Sequence, residues 1–288
     1  MDLFFTYIEA NQSGSKWRYL RRQVKHMRET KRRLEHSGAT VRWLGQFGFL
    51  IFARRSHVKW SVVDLTAYSF GGVNLYAEGI ASTDFVLRVD DPTLAGQIAA
   101  EHRRVLHTDS EARGYSSHGF GPPEHHVLVD GGQLFDSLIY QRVLALAQEA
   151  TRVIYVSQYC PTGKLARLLR QNPTNELYFN YELRKPLWQM TMRVLMALNN
   201  ISTMYLRPEY LHAKFMIFEL PDGKTVAITG SQNLIPDHRM FFVDKSIFSC
   251  TIFRYYHATF KAIGIRQNRL CLSLVGLPDT AVPIPPSR

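Results

Sequence analysis

Cysteine is scarce: three residues in 288, Cys160, Cys250 and Cys271, isolated from one another and without any C-x-x-C pair. That spacing argues against a disulfide framework and a zinc ribbon, and it fits a reducing compartment. No apolar run approaches the roughly 18 to 20 residues that carry a helix across a bilayer. The opening residues, Met1 to Tyr7, lack the basic start and the apolar stretch of about 7 to 15 residues of a secretory signal. A cytoplasmic protein is expected, with any membrane contact peripheral, at the inner face. Acidic residues are also in short supply, 24 against 35 Lys and Arg, for a formal net charge of +11 and a pI near 9.7. Hydrophobic residues make up 45% of the chain, enough for one large core or two modest ones, so disorder is not the default.

What the chain does contain is one short pattern written twice. His57-Val58-Lys59 is followed by Asp64 and then by Gly71-Gly72-Val73-Asn74; His212-Ala213-Lys214 is followed by Glu219 and then by Gly230-Ser231-Gln232-Asn233. In an extended strand alternate side chains share a face, so His57 projects with Lys59, and His212 with Lys214. The flanking residues, Trp60, Val62 and Val63 in one copy and Phe215 to Phe218 in the other, read as strand. The carboxylate at the far end would accept a hydrogen bond from one imidazole nitrogen and leave the other free to act. Lys and Asn supply donors suited to phosphate oxygens, and glycine before Asn permits close backbone approach. A lone H-x-K is worth almost nothing. The repeat, with matching Gly and Asn endings, is worth a great deal. Leu220-Pro221-Asp222-Gly223 with Lys224 reads as a hairpin turn that lengthens the second copy between Phe215–Glu219 and Val226–Thr229.

Charge is concentrated as well as abundant. Residues 16 to 36 hold nine Lys or Arg against two Glu, a local +7, while Trp17, Leu20, Val24, Met27 and Leu34 recur at helical spacing. Ser15 can cap this helix and Gly38 can end it. Such a basic amphipathic helix suits anionic lipid or nucleic acid, and it equally suits the solvated face of a helix packed on a sheet.

Strands and helices alternate along the chain, which indicates an α/β architecture. The second part shows helix Phe135–Ala150, strand Val153–Val156, helix Lys164–Arg170, helix Leu187–Leu198, a strand at Met204–Leu206 and the motif strand Leu211–Phe218. The first shows strand Leu3–Ile8, helix Trp17–His36, strand Val41–Leu44, and Phe49–Ala53 leading into the His57 strand. It lacks a counterpart of the helix at 135–150, so it either begins late or never had that helix. Asp84–Val89 reads as a strand. Asp91 and Pro92 start a helix that runs to about Leu106. The expected division is a first half over 1–106, a linker over 107–126 rich in Ser, Gly and Pro, and a second half over 127–288. Glu124-His125-His126 at the end of that linker reads as solvated, not as a metal site.

The paired pattern resembles the H-K-D motifs of the phospholipase D superfamily, and the chain looks most like its bacterial cardiolipin synthase and phosphatidyltransferase members. The first copy matches the family spacing; the second departs in Glu219 for Asp and in the longer hairpin. The resemblance implies two similar α/β sandwich halves about a pseudo-twofold axis, with the active site between them. It implies His57 as nucleophile forming a phosphohistidine and His212 as acid and base, the reverse assignment fitting nearly as well. Asp64 and Glu219 would orient the two imidazoles. Lys59, Lys214, Asn74 and Asn233, with Gly72 and Ser231 beside them, would hold the phosphate, and neither metal nor cofactor is called for. The implied substrate is a phospholipid, with the basic helix 16–36 resting on the membrane. A nuclease of the same superfamily is the alternative, nucleic acid then being the partner, and a noncatalytic phosphate or lipid binder is the remote one.

Overall fold

The computed structural model describes residues 16–42, 53–56, 58–69, 82–110, 115–122, 125–131, 137–181, 186–232, 245–256, 260–266 and 269–274. In chain order the elements are helix α1 (Lys16–His36), strands β1 (Ala53–Ser56), β2 (Trp60–Val63), β3 (Thr66–Ser69) and β4 (Leu87–Val89), helix α2 (Pro92–Ser110), strands β5 (His118–Phe120) and β6 (His125–Asp130), and helix α3 (Leu138–Glu149). There follow strand β7 (Arg152–Val156), helix α4 (Gly163–Gln171), strand β8 (Glu176–Tyr178), helix α5 (Pro186–Asn199), and strands β9 (Phe215–Glu219), β10 (Lys224–Gly230), β11 (Lys245–Tyr256), β12 (Phe260–Arg266) and β13 (Arg269–Leu274). The protein is α/β, as its alternating pattern predicts. Among the described residues no helix is long and apolar enough to cross a membrane.

Eight strands form one mixed sheet in the order β5-β6-β11-β10-β9-β7-β8, with β1 added parallel to β11; β7 and β8 are also parallel, and the remaining pairs are antiparallel. Period-two patterning explains how the sheet is buried on both sides. Val153 and Tyr155 of β7 join Met216 and Phe218 of β9 on one face, beneath Ile139, Val143 and Leu146 of α3, Leu165 and Leu169 of α4 and Met192 of α5. On the other face Val156 meets Phe215 and Ile217, together with Leu211, Ala213 and Tyr205. Strands this apolar, such as Phe215-Met216-Ile217-Phe218, are what a sheet covered on both faces requires.

A second, three-stranded antiparallel sheet, β2-β3-β4, begins directly after Lys59 of the first motif and holds Asp64 in its first turn. Leu94, Ala95, Ile98 and Val105 of α2 cover it with Ala67, and Val127 and Val129 of β6 close the same cluster, tying it to the large sheet. Asp91 starts α2 as its sequence predicts: one carboxylate oxygen accepts from the amides of Thr93 at 2.9 Å and Leu94 at 3.0 Å. Asp91→Ala leaves those two donors to water, and a loss of about 1 kcal/mol is expected in urea unfolding.

Five expectations change. The helix predicted to end near Leu106 runs to Ser110, and the segment expected to link two halves holds β5, which pairs with β6 inside the large sheet. Buried Tyr115 and the contact of His118 Nε2 with Glu101 at 3.0 Å fix this stretch to α2. Met204–Leu206 is not a strand: the Thr203 hydroxyl donates to the carbonyl of Phe179 and accepts from the amides of Phe179 and Tyr205, replacing the ladder bonds a strand would make there. The motif strand begins only at Phe215, three residues after His212. The expected strand Leu3–Ile8 and residues 49–52 lie outside the described residues; Val41 and Arg42 carry no strand. The hairpin of the second motif forms as expected, with Gly223 at φ 78° and Leu220 N–H donating to the carbonyl of Lys224.

Candidate active site

The residues ahead of β9 are held by hydrogen bonds from a distant part of the chain. Leu211 forms a parallel bridge with Thr83: Thr83 N–H donates to the Tyr210 carbonyl at 2.9 Å, and the Thr83 carbonyl accepts from His212 at 2.9 Å and Ala213 at 3.0 Å. From the other side, the buried amide of Asn180 accepts from Leu211 N–H at 2.8 Å and donates to the Leu211 carbonyl at 2.7 Å. The Lys214 carbonyl accepts from the Thr229 hydroxyl at 3.0 Å. With both neighbours pinned, the backbone of His212 has one orientation.

The same Thr83 bridge delivers an acid. Asp84, whose side chain is 3% exposed, places one carboxylate oxygen 2.8 Å from Nδ1 of His212, while the other accepts its neighbouring Phe85 amide at 2.9 Å. An ionised carboxylate only accepts, so Nδ1 carries the proton and Nε2 keeps its lone pair. Lys214 shares the face of His212, as two-residue spacing predicts. Its ammonium stands 3.3 Å from Nε2 and donates to the His212 carbonyl at 2.9 Å. Tyr210 stacks beside the imidazole with ring centroids 6.2 Å apart, and its hydroxyl accepts from the Gln158 amide at 2.5 Å.

Burial sets the electrostatics. It lowers Lys214 to about 7, Asp84 opposing and the charge of Lys59 adding to the effect. Burial also lowers His212, against the Asp84 hydrogen bond, with the Lys214 and Lys59 charges pushing the same way as burial. Lys59 of the first motif is lowered too, again by burial and again with Asp84 opposing. The two lysines, the imidazole and Asp84 therefore share one electrostatic neighbourhood, although Lys59 and Lys214 are 155 positions apart.

The two carboxylates expected to orient the imidazoles lie elsewhere. Asp64 is exposed, in the turn between β2 and β3, with φ 53° in the left-handed region that a short polar side chain tolerates. Glu219 ends β9 and bonds Arg152 at 2.7 Å. In the second copy the reason is strand geometry: Glu219 stands at the far end of β9, whose five residues span roughly 16 Å at about 3.3 Å each. Ser231 and Gln232 are buried directly after β10, and the Gln232 amide donates to the Ser137 hydroxyl that caps α3, at 3.3 Å. His57, Gly72, Asn74 and Asn233 lie outside the described residues. Among the described residues no group of three or more His, Cys, Asp and Glu could hold a metal ion.

Asp84, Asn180 and Tyr210 were missed in the sequence. Asp84 reads there as the first residue of a strand, and nothing local marks it as a partner of a histidine 128 positions on. No protein-family model matches the chain, and no curated protein matches it at a significant level.

Proposed function

We propose that the chain cleaves or transfers a phosphodiester, with a phospholipid as substrate, at a site where two α/β halves meet. The observation that carries this reading is the imidazole of His212, oriented by Asp84 from the first half and flanked by Lys214 and Lys59. A neutral Nε2 is the form that attacks phosphorus or takes a proton from an alcohol. Two lysines at the same place offset the charge that grows on the nonbridging oxygens, which is the largest need of this chemistry.

In the first step the Nε2 lone pair of one motif histidine forms an N–P bond. The leaving alcohol departs with the P–O bonding pair and takes a proton from the other histidine. In the second step water or an acceptor alcohol gives its proton back to that histidine and displaces the phosphohistidine. Its resting neutrality suits His212 to attack or to the base role. The acid role requires it protonated, a form that a bound phosphate anion would favour.

The test is turnover of labelled phosphatidylglycerol with and without added glycerol, alongside a labelled oligonucleotide, for the protein and for His212→Ala. Lipid turnover that His212→Ala abolishes supports the reading, and exchange with glycerol marks a transferase. Acid-labile label trapped on histidine excludes a mere binder, and its disappearance in His57→Ala or in His212→Ala identifies the nucleophile. Cleavage of the oligonucleotide alone, which the net charge of +11 would favour, replaces the lipid reading with a nuclease.

A further inference from the structure

Helix α1 carries nine Lys or Arg in 21 residues, and the sheets described above are built without its described side chains. Among the described residues, none of its side chains belongs to the three hydrophobic clusters that build the two sheets. Its 21 residues span about 31 Å at 1.5 Å each. It ends in an orderly way: Gly38, at φ 90°, donates to the Glu35 carbonyl at 3.0 Å, and Ala39 reaches back to Leu34 at 3.0 Å. This is a Schellman termination with glycine at the left-handed position, so the helix stops by its own chemistry and not by packing against the core.

Its surface is divided. At 100° per residue Val24, Met27 and Leu34 fall within one stripe, the first two half-buried and the third exposed. Leu34 is 46% exposed, which leaves the end of the stripe open to a partner surface. Arg28 is exposed beside that stripe, and Arg22, Lys25, Arg32 and Arg33 are exposed on the opposite half of the helix. The two acids do not offset them broadly, because each is engaged within the helix: Glu29 with Lys25 at 3.8 Å and Glu35 with Lys31 at 3.4 Å.

We infer that α1 docks the protein on an anionic phospholipid surface, lying in the interface with the Val24, Met27 and Leu34 stripe toward the acyl chains, Arg28 at the headgroups beside it, and the basic residues of the outer face adding long-range attraction to the anionic surface. Charge complementarity selects an anionic partner, and the apolar stripe selects a membrane over nucleic acid. A phosphate backbone offers nothing for Leu34 to bury against, whereas a headgroup boundary accepts charge and apolar surface together. This inference rests on the phospholipid reading of the site for its biological sense, but binding can be measured without catalysis.

The experiment is flotation of the full chain with vesicles of phosphatidylcholine alone and of phosphatidylcholine mixed with phosphatidylglycerol, at low and high salt. Binding to the mixed vesicles alone is expected, weakened tenfold or more by Arg28→Glu with Arg32→Glu and by Met27→Asp with Leu34→Asp. His212→Ala should bind as the parent does, and the helix variants should turn over a short-chain, water-soluble phosphodiester at the parent rate. Loss of turnover with intact flotation would count against the site and not against the helix. Flotation that the charge reversals leave unchanged overturns the inference. So does binding to duplex DNA that needs the arginines while vesicles are ignored.

Discussion

Asp84→Asn should lower kcat by about 10^3- to 10^4-fold, the size that follows when an Asn takes the place of the Asp that orients a catalytic imidazole. The substitution keeps shape and burial but replaces an obligate acceptor with a group that can donate to Nδ1. His212 would then turn its N–H to Nε2 and lose the lone pair that does the chemistry. Asp84 is also the one group that raises His212, Lys214 and Lys59 together against burial, so its loss lowers all three further. Glu219→Gln is the informative contrast, because the motif pattern assigns Glu219 the role that the geometry gives to Asp84. It breaks a half-exposed pair with Arg152 and should cost at most about 1 kcal/mol of stability, with turnover within a few-fold of the parent. Steady-state kinetics on both variants decides the matter. Equal losses, or a larger loss for Glu219→Gln, would mean that the carboxylate at the end of β9 controls His212 after all.

Lys214→Met should make the protein more stable and nearly inactive. A buried ammonium held near 7 instead of its ordinary 10.5 is a charge the fold disfavours. Between those two values the unfolded chain binds a proton that the folded chain does not. Parent stability therefore rises with pH from about 7 to 10.5, and the full penalty is present below about 7. Methionine of similar volume removes it, for a gain of about 3 kcal/mol at pH 6 that shrinks as pH approaches 10. Activity should fall by 10^2-fold or more, since the cation beside Nε2 is lost. Urea midpoints at pH 6 and pH 10 check the first part. A Met variant less stable than the parent at pH 6 would show that the hydrogen bond to the His212 carbonyl outweighs the buried charge. In the parent, kcat/KM should fall at low pH as His212 gains a proton and again above about 7 as Lys214 loses one, because the proposed reaction needs the imidazole neutral and the lysine charged.

Much of this protein is legible locally. The hairpin at Leu220–Lys224, the Asp91 cap, the Schellman end at Gly38 and the pairing of His212 with Lys214 on one face each follow from a few neighbouring residues. Where reading along the chain fails, the competing partner is distant. Thr203 displaces a strand by satisfying Phe179, just past β8 and 24 positions away, and β5 joins the large sheet because β6 offers an edge next to it. The acid of the motif was misplaced for a different reason. A pattern records that a carboxylate recurs after H-x-K, but the length of β9 separates Glu219 from the imidazole of His212.

The sequence by itself determined the class of fold, the repeated His and Lys, and the concentration of positive charge between residues 16 and 36, because periodicity, turn chemistry and charge are properties of adjacent residues. Only the tertiary structure decided that Asp84 serves His212, that Lys59 feels Lys214, and that Lys214 titrates near neutrality. Those facts depend on which segments the Thr83 bridge and the Asn180 clamp bring together, and on how much water is left around them.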